Sequence, residues 1–425
     1  MRGSVGCALV RAGLVAAAVV VLCAGGGAGG AGSAQVAAID DGRRCGFDEM
    51  QARVMGTGVS LVSDVEVPTD GRAVVSAAAR PWLPIRIAVF TDDISNASQH
   101  CTRAGQERPT FAGRTVTCTA EDVLTKAKRR TLLELLIPSA VQLHRERLSV
   151  QRESGNIVVS PHIKEQRFCG EFSIPASHMT TGVPDADFVL YVAAGPTSRF
   201  VAAWAMLCQS FVNGRPSVGV VNVSPMYISA EPATVRVIAH ELLHALGFNV
   251  HKFIAHEMIS LERLRGAEES PVITSENVVA RVRAQYGCYM SAFMELEDQG
   301  MKGSPFSYWK RRNAKDDLMA SVSGAGIYSA ITIAAMEDMG YYRGNYSNAE
   351  PMAYGLNAGC GLATTKCVID GVSQFPNMFC DSVQPPLVCS SDRRRLGRCS
   401  LLSHPSALPP LYRYFKNSKR GGEQL

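Results

Sequence analysis

The stretch Val237–His251, VIAHELLHALGFNVH, sets His240, Glu241 and His244 in the order His-Glu-x-x-His, with Gly247 three residues further on. Its surroundings, ATVRVIAHELLHALGF (Ala233–Phe248), repeat apolar residues at helical spacing and predict a helix. On a helix, residues four apart share a face, so both imidazoles reach one ion. Two imidazoles and a carboxylate at this spacing suit one Zn2+, with His240 and His244 as ligands. Zinc brings the pKa of bound water towards neutrality, and Glu241, next to the first ligand, can take its proton and pass it to a leaving amine. The metal meanwhile stabilises the oxyanion of a tetrahedral intermediate. The pattern therefore points to hydrolysis of peptide bonds. The bland alternative is a helix whose histidines merely occupy its polar face. The apolar flanks VIA, LL and ALGF weigh against it.

Two histidines rarely complete a zinc site. Gly247 extends the pattern to His-x-x-Gly, as in the metzincins, where the glycine ends the helix in a sharp turn and a third histidine follows three residues later. That place is Val250 here. His251 comes one residue late, and on a continued helix it would lie about 10 Å from His244, too far for one ion. It is read as a surface histidine. His256 has no spacing argument.

The chain has 425 residues, 46% hydrophobic, with a formal net charge of +5, enough for a large core and too weakly basic to argue for nucleic acid. The run RRRLGR (Arg393–Arg398) is read as a solvated loop. Arg2 and Arg11, the apolar run GLVAAAVVVLCA (Gly13–Ala24) and the small residues that follow describe a secretory signal over residues 1–35. No later stretch has membrane-spanning length, and the polar end FKNSKRGGEQL carries no lipid-anchor signal. Localisation is expected in the secretory pathway, secreted or at the cell surface. Of the thirteen cysteines, Cys7 and Cys23 leave with the signal and Cys45 stands alone; the other ten, in an oxidising compartment, suit a disulfide framework whose connectivity spacing alone leaves open. Asn96, Asn222 and Asn345 head glycan acceptor triplets.

Strands are expected at Ile85–Phe90, Asp187–Ala194 and Ser217–Pro225. Helical spacing runs through AEDVLTKAKRRTLLELLIPSAVQLHRERLSV, with Pro138 marking a break or a second start. A further helix is expected over Ser329–Tyr341, ending near Gly340. The region from Ser260 to Gly303 is mixed and charged. Beyond Gly359 the chain is rich in Cys, Pro and Gly and reads as a small cross-linked module.

Longer motifs carry a resemblance. VRVIAHELLHALGF, VRAQYGC, LEDQG, RNAKDDLMA and NAGC, with looser similarity at MQARV, HCTRAGQ, VTCTAEDVLT, LIPSAVQLHRERL and HPSALPPLYRYF, make the chain similar to leishmanolysins, the kinetoplastid surface metalloproteases. The similarity runs from Cys45 to about Tyr414. It implies that an insertion of some sixty residues separates Gly247 from the third zinc histidine, and that Met319 is the methionine of the turn beneath the zinc. The third-histidine position holds Tyr308, 61 residues beyond Gly247 (308 − 247). Tyr308 as a weak ligand, a two-histidine site and a non-catalytic homologue all stay open. Cys45 matches the family's propeptide cysteine, which ligates zinc until cleavage; a thiolate is a good zinc ligand. The resemblance also implies the disulfides Cys101–Cys118, Cys169–Cys208, Cys288–Cys360 and Cys380–Cys399, with Cys367 and Cys389 left over.

The expected fold is α+β: a metzincin-like zinc protease core with a central insertion and a truncated, disulfide-rich C-terminal part. The expected division is signal 1–35, propeptide 36–78, N-terminal catalytic subdomain with the zinc-binding helix 79–250, insertion and Met-turn subdomain 251–359, and partial Cys-rich domain 360–425. The expected function is a zymogen zinc endopeptidase acting on protein or peptide substrates, with host or matrix proteins as further partners in adhesion. The alternative is a catalytically impaired adhesion or binding protein.

Overall fold

The computed structural model describes Arg44, Cys45, Phe47, Met50 and residues 80–422, apart from 199, 299–305, 322–323, 384–386 and 400. The signal segment and most of the expected propeptide lie outside the described residues. The elements that matter for the site are, in chain order, β1 (Arg44–Cys45), β2 (Ile87–Phe90), α1 (Ile137–Arg147), β3 (Phe188–Ala193), β4 (Val201–Ser210) and β5 (Pro216–Val223), then α2 (Pro232–Ala245), α3 (Val250–Ala255), β6 (Ile259–Leu264), β7 (Ala267–Ile273), α4 (Glu276–Tyr286), β8 (Met294–Glu295) and α5 (Ala330–Asp338). The mixture of helix and sheet is α+β, as expected.

Five strands form the main sheet in the order β1-β4-β5-β3-β2. β2, β3 and β5 run parallel, β4 returns antiparallel to β5, and β1 adds parallel to the outer edge of β4. Every residue of β3, β4 and β5 is buried, because the sheet has a core on each face. Phe188, Leu190 and Val192 belong to the cluster that holds α1 and α2. Their neighbours Val189, Tyr191 and Ala193 join Phe111, Phe168 and Phe172 on the other face. A strand buried on both sides shows no polar alternation, so period-2 patterning is silent there.

β4 went unforeseen for this reason. VAAWAMLCQS has neither turn signals nor a β-branched run, yet it is the sheet's longest strand. Ala203 and Ala205 face the helical core with Ile238 and Leu242 of α2, and α2 lies against β4. Small side chains on that face let the helix approach the strand closely. Trp204 and Met206 fill the opposite core.

Pro138 does not break its helix. The segment Lys126–Arg130 passes through one π-helical stretch, Thr131–Leu136, into α1, where Pro138 sits in the first turn. Proline has no N–H to donate, and the wider register absorbs the gap in the ladder. α5 is capped by Ser329, whose Oγ accepts from the N–H groups of Ile331 and Thr332. The region read as mixed and charged contains the hairpin β6–β7, extended by β8, and the helix α4, which packs on α5. After Gly359 the chain forms short two-residue and three-residue strands.

The disulfides are Cys101–Cys118, Cys169–Cys208, Cys288–Cys360 and Cys380–Cys399, the pairs the resemblance implies. Cys367 is buried and Cys389 exposed, neither in a disulfide. Two expectations need correction. His251 is half-buried on α3, not at the surface, because α3 turns back against the core at Phe253. Asn222 is fully buried on β5: its Oδ1 accepts from the Gly195 N–H and its Nδ2 donates to the Gly195 carbonyl. A glycan has no room there, whereas Asn96 and Asn345 are exposed.

Candidate metal centre

α2 carries His240, Glu241 and His244, all buried. The helix ends at Ala245, and Gly247 takes φ +112°, a backbone region that side chains rarely enter. The turn brings the Phe248 carbonyl back to accept from His244 Nδ1 at 2.8 Å. His240 Nδ1 donates to the Leu318 carbonyl at 2.6 Å. Both rings are thereby held with the proton on Nδ1 and the lone pair on Nε2.

The two Nε2 atoms stand 3.1 Å apart, with the ring planes at 84°. Two lone pairs that close, with no proton between them, repel unless a cation lies against both. Burial lowers the His240 pKa to about 4, partly opposed by the Leu318 carbonyl, and lowers that of His244 further still. Both imidazoles are neutral near pH 7, the form that ligates metal.

Leu318 is placed by the turn that holds Met319. Its N–H donates to the Ile327 carbonyl at 2.7 Å. The Met319 N–H donates to Asp317 Oδ1 at 2.7 Å, and Met319 is fully buried. Asp317 also accepts from Thr332 Oγ1 at 2.6 Å and from Ser329 Oγ, both at the start of α5.

Tyr308 arrives from a segment laid antiparallel to residues 295–297. The Glu297 N–H donates to its carbonyl at 2.9 Å, and Leu296 bridges to Trp309. The Tyr308 ring stacks near His240, centroids 5.6 Å apart, and meets His244 edge-on at 5.0 Å. Its hydroxyl donates to Cys45 Sγ at 3.3 Å.

Cys45 reaches the site because β1 pairs with β4, Cys45 opposite Ala203. The Phe47 N–H also donates to its sulfur, at 3.3 Å. Phe47 itself stacks flat on His244, centroids 4.0 Å apart and planes within 3°. Cys45, His240 and His244 form the group of His, Cys, Asp and Glu donors among the described residues whose ligand atoms all lie within 4.8 Å of one another. Two neutral imidazoles and a sulfur converging on one point suit a borderline-soft divalent metal. A cavity of about 230 Å³ lies elsewhere, between Arg265, Glu297, Arg312, Cys367 and Tyr412.

The sequence pattern of the leishmanolysin peptidase family matches residues 43–425. The chain is 41% identical over 404 residues to leishmanolysin of Leishmania major, covering 89% of this chain and 67% of that protein. It is 42% identical over 391 residues to leishmanolysin of Leishmania donovani, covering 89% and 66%. The chain belongs to the leishmanolysin family. The leishmanolysin-like peptidase of Drosophila melanogaster is 27% identical over 401 residues, covering 71% of this chain and 58% of that protein. The chain spans about two thirds of the length of the Leishmania relatives it matches.

Leishmanolysins are metalloendopeptidases, so a metal centre belongs to the family, and this leishmanolysin relative brings His240, His244, Tyr308 and Cys45 together. His251 and His256 are not among the clustered donors; His256 Nε2 instead hydrogen-bonds the Tyr341 hydroxyl at 2.7 Å. Sequence reasoning missed Phe47 and the carbonyls of Leu318 and Phe248. Phe47 stands two residues after Cys45 and could have been read as part of the same plug. The carbonyls left no signal, because any residue type supplies one.

Proposed function

We propose that the protein is a zinc metalloendopeptidase of the leishmanolysin type, made as a zymogen in the secretory pathway and then secreted or kept at the cell surface. The reading rests on one observation: the Nε2 atoms of His240 and His244 face each other as bare lone pairs on the helix that carries Glu241. His240 and His244 would hold one zinc ion. Zinc bound there would supply Lewis-acid polarisation of the scissile carbonyl and acidify water. The Glu241 carboxylate takes a proton from the attacking water and delivers it to the leaving amine nitrogen. The carbonyls of Leu318 and Phe248 keep both rings aimed, and Met319 packs the turn that supports Leu318.

Residues 1–35 act as the signal and 36–78 as the propeptide, whose Cys45 and Phe47 cover the imidazoles. When that segment leaves, the outer edge of β4 is open to an extended polypeptide, which would add as a strand. Protein and peptide substrates follow from this edge. Four disulfides fit an oxidising compartment. Among the described residues no helix is long and apolar enough to cross a membrane. Glycans would occupy Asn96 and Asn345. Residues 79–250, 251–359 and 360–425 serve as catalytic, insertion and Cys-rich parts.

The test is Glu241→Gln in activated protein. Hydrolysis of casein should fall by about 10³-fold with zinc content unchanged, because the proton carrier is lost and both ligands remain. Undiminished turnover would rule out Glu241 as the base.

A second reading, an impaired homologue that binds host or matrix proteins, is favoured by Tyr308, a phenol where the family's third zinc histidine stands. Tyr308→His separates the two: a large rise in turnover supports the impaired reading, and an unchanged rate supports the first.

A further inference from the structure

We propose that the cavity of about 230 Å³ beside Glu297 binds a small organic cation, a primary ammonium carried on an aliphatic stem. This site is separate from the metal centre and from the sheet edge proposed for substrate: no residue of β4, and neither His240 nor His244, lines it.

The cavity lies between the hairpin β6–β7, extended by β8, and the chain beyond Gly359. Leu264 reaches it from the hairpin, and Phe379, Leu401, Leu411 and Phe415 reach it from the later chain. An apolar cavity of about 150 Å³ takes a benzene ring. This larger one has room for a stem of roughly six heavy atoms.

Charge around the cavity is unevenly committed. Arg265 donates to Glu295 Oε2 at 2.7 Å and to the Ala363 carbonyl. Arg312 donates to the carbonyls of Leu362 and Thr365. Both guanidiniums are thus turned to the protein. Glu295 is taken up by Arg265 and by Asn313 Nδ2 at 3.0 Å. Glu297 and Asp298 are left with one cation, Lys310, whose ammonium donates to Asp298 Oδ1 and stands 3.8 Å from Glu297 Oε1. It also stands 3.4 Å from Glu295 Oε1, so its charge is divided further.

Glu297 Oε2 accepts from the Arg311 N–H at 3.1 Å and from the Ser321 hydroxyl at 3.0 Å. Among the described residues, Glu297 Oε1 and Asp298 Oδ2 receive no hydrogen bond. Burial raises the Glu297 pKa; Lys310 opposes the rise and the charge of Asp298 adds to it. A carboxylate so placed is short of positive charge. Tyr412 lines the same end: burial raises its phenol to about 12, and the charges of Asp298 and Glu297 add to the rise. An ammonium between carboxylates and an aromatic ring gains from both. An anion would meet guanidiniums already bound and carboxylate oxygens with no donor, which decides the sign of the ligand. The apolar walls decide its stem.

The experiment is isothermal titration calorimetry on the full chain at pH 7, with n-pentylamine, n-pentanol and pentanoate as probes that share one stem. Pentylamine should bind at one site, and the other two at least about 10-fold more weakly. Glu297→Gln and Asp298→Asn should each lower pentylamine affinity by about 10–100-fold. Leu411→Trp, which fills the cavity and leaves its charges, should abolish binding. It keeps the test decisive if a charge variant folds poorly, which far-UV circular dichroism checks. Blocked lysine, acetylated at the amino end and amidated at the other, distinguishes the sources of the cation: binding as tight as pentylamine assigns a polypeptide side chain, and weaker binding a free amine. Pentanoate binding as tightly as pentylamine, unchanged affinity in both charge variants, or no binding of millimolar pentylamine to the folded wild type would overturn the inference.

Discussion

At Gly247, the absence of a side chain decides where His244 points. The residue's φ of +112° turns the chain so that the Phe248 carbonyl meets His244 Nδ1. A Cβ would find space, its nearest neighbour being Pro216 Cγ at 3.4 Å, so the obstacle is conformational. Gly247→Ala should cost about 1–3 kcal/mol of stability, read from urea unfolding. If the turn shifts, His244 loses its carbonyl partner, and zinc affinity by chelator competition should fall by about 10–100-fold. A variant with wild-type stability would show that the turn tolerates a side chain. Asn222 teaches the converse. Its acceptor triplet is legible in the sequence, but both polar atoms of its side chain are committed to Gly195 inside the sheet.

The turn around Met319 and the start of α5 form one unit, joined by Asp317. That carboxylate is buried and accepts from Met319, Thr332 and Ser329. Burial raises its pKa to about 6; these hydrogen bonds oppose the rise and the charge of Glu350 adds to it. The unfolded value is about 3.9. A folded pKa above the unfolded one means that the folded chain holds the proton more tightly. The group's contribution is then fully present below about pH 4 and is lost as pH rises through about 6. Urea midpoints measured from pH 4 to 7 should therefore decline more steeply for wild type than for Asp317→Asn, which cannot ionise. Parallel profiles would show that Asp317 titrates alike in both states. β4 shows why some elements escaped reading: with cores on both faces, its only pattern is alternation of small residues towards α2 and large ones away from it.

Across the molecule, the sheet separates two cores, and the Cys169–Cys208 disulfide ties the outer core to β4, the strand that holds the Cys45 segment. It closes a loop of 39 residues, so Cys169→Ala with Cys208→Ala should cost about 4 kcal/mol on chain entropy. Calorimetric melting of the double variant checks this, and a shift of only a degree or two would contradict it. The four disulfide pairs were legible through the family resemblance, and the helix with His240, Glu241 and His244 through its spacing. The hairpin β6–β7 and helix α4 were not, because charged exposed faces blur their periodicity. Local chemistry is written in the sequence: four residues make one helical turn wherever the helix lies, so the imidazole pair and its carboxylate could be named before any fold was known. What the Tyr308 hydroxyl meets was decided only by tertiary structure. Its partner sulfur is 263 residues away in the chain, and a contact over that distance depends on how the sheet, the turn and the strand that carries Cys45 pack together, which no spacing records.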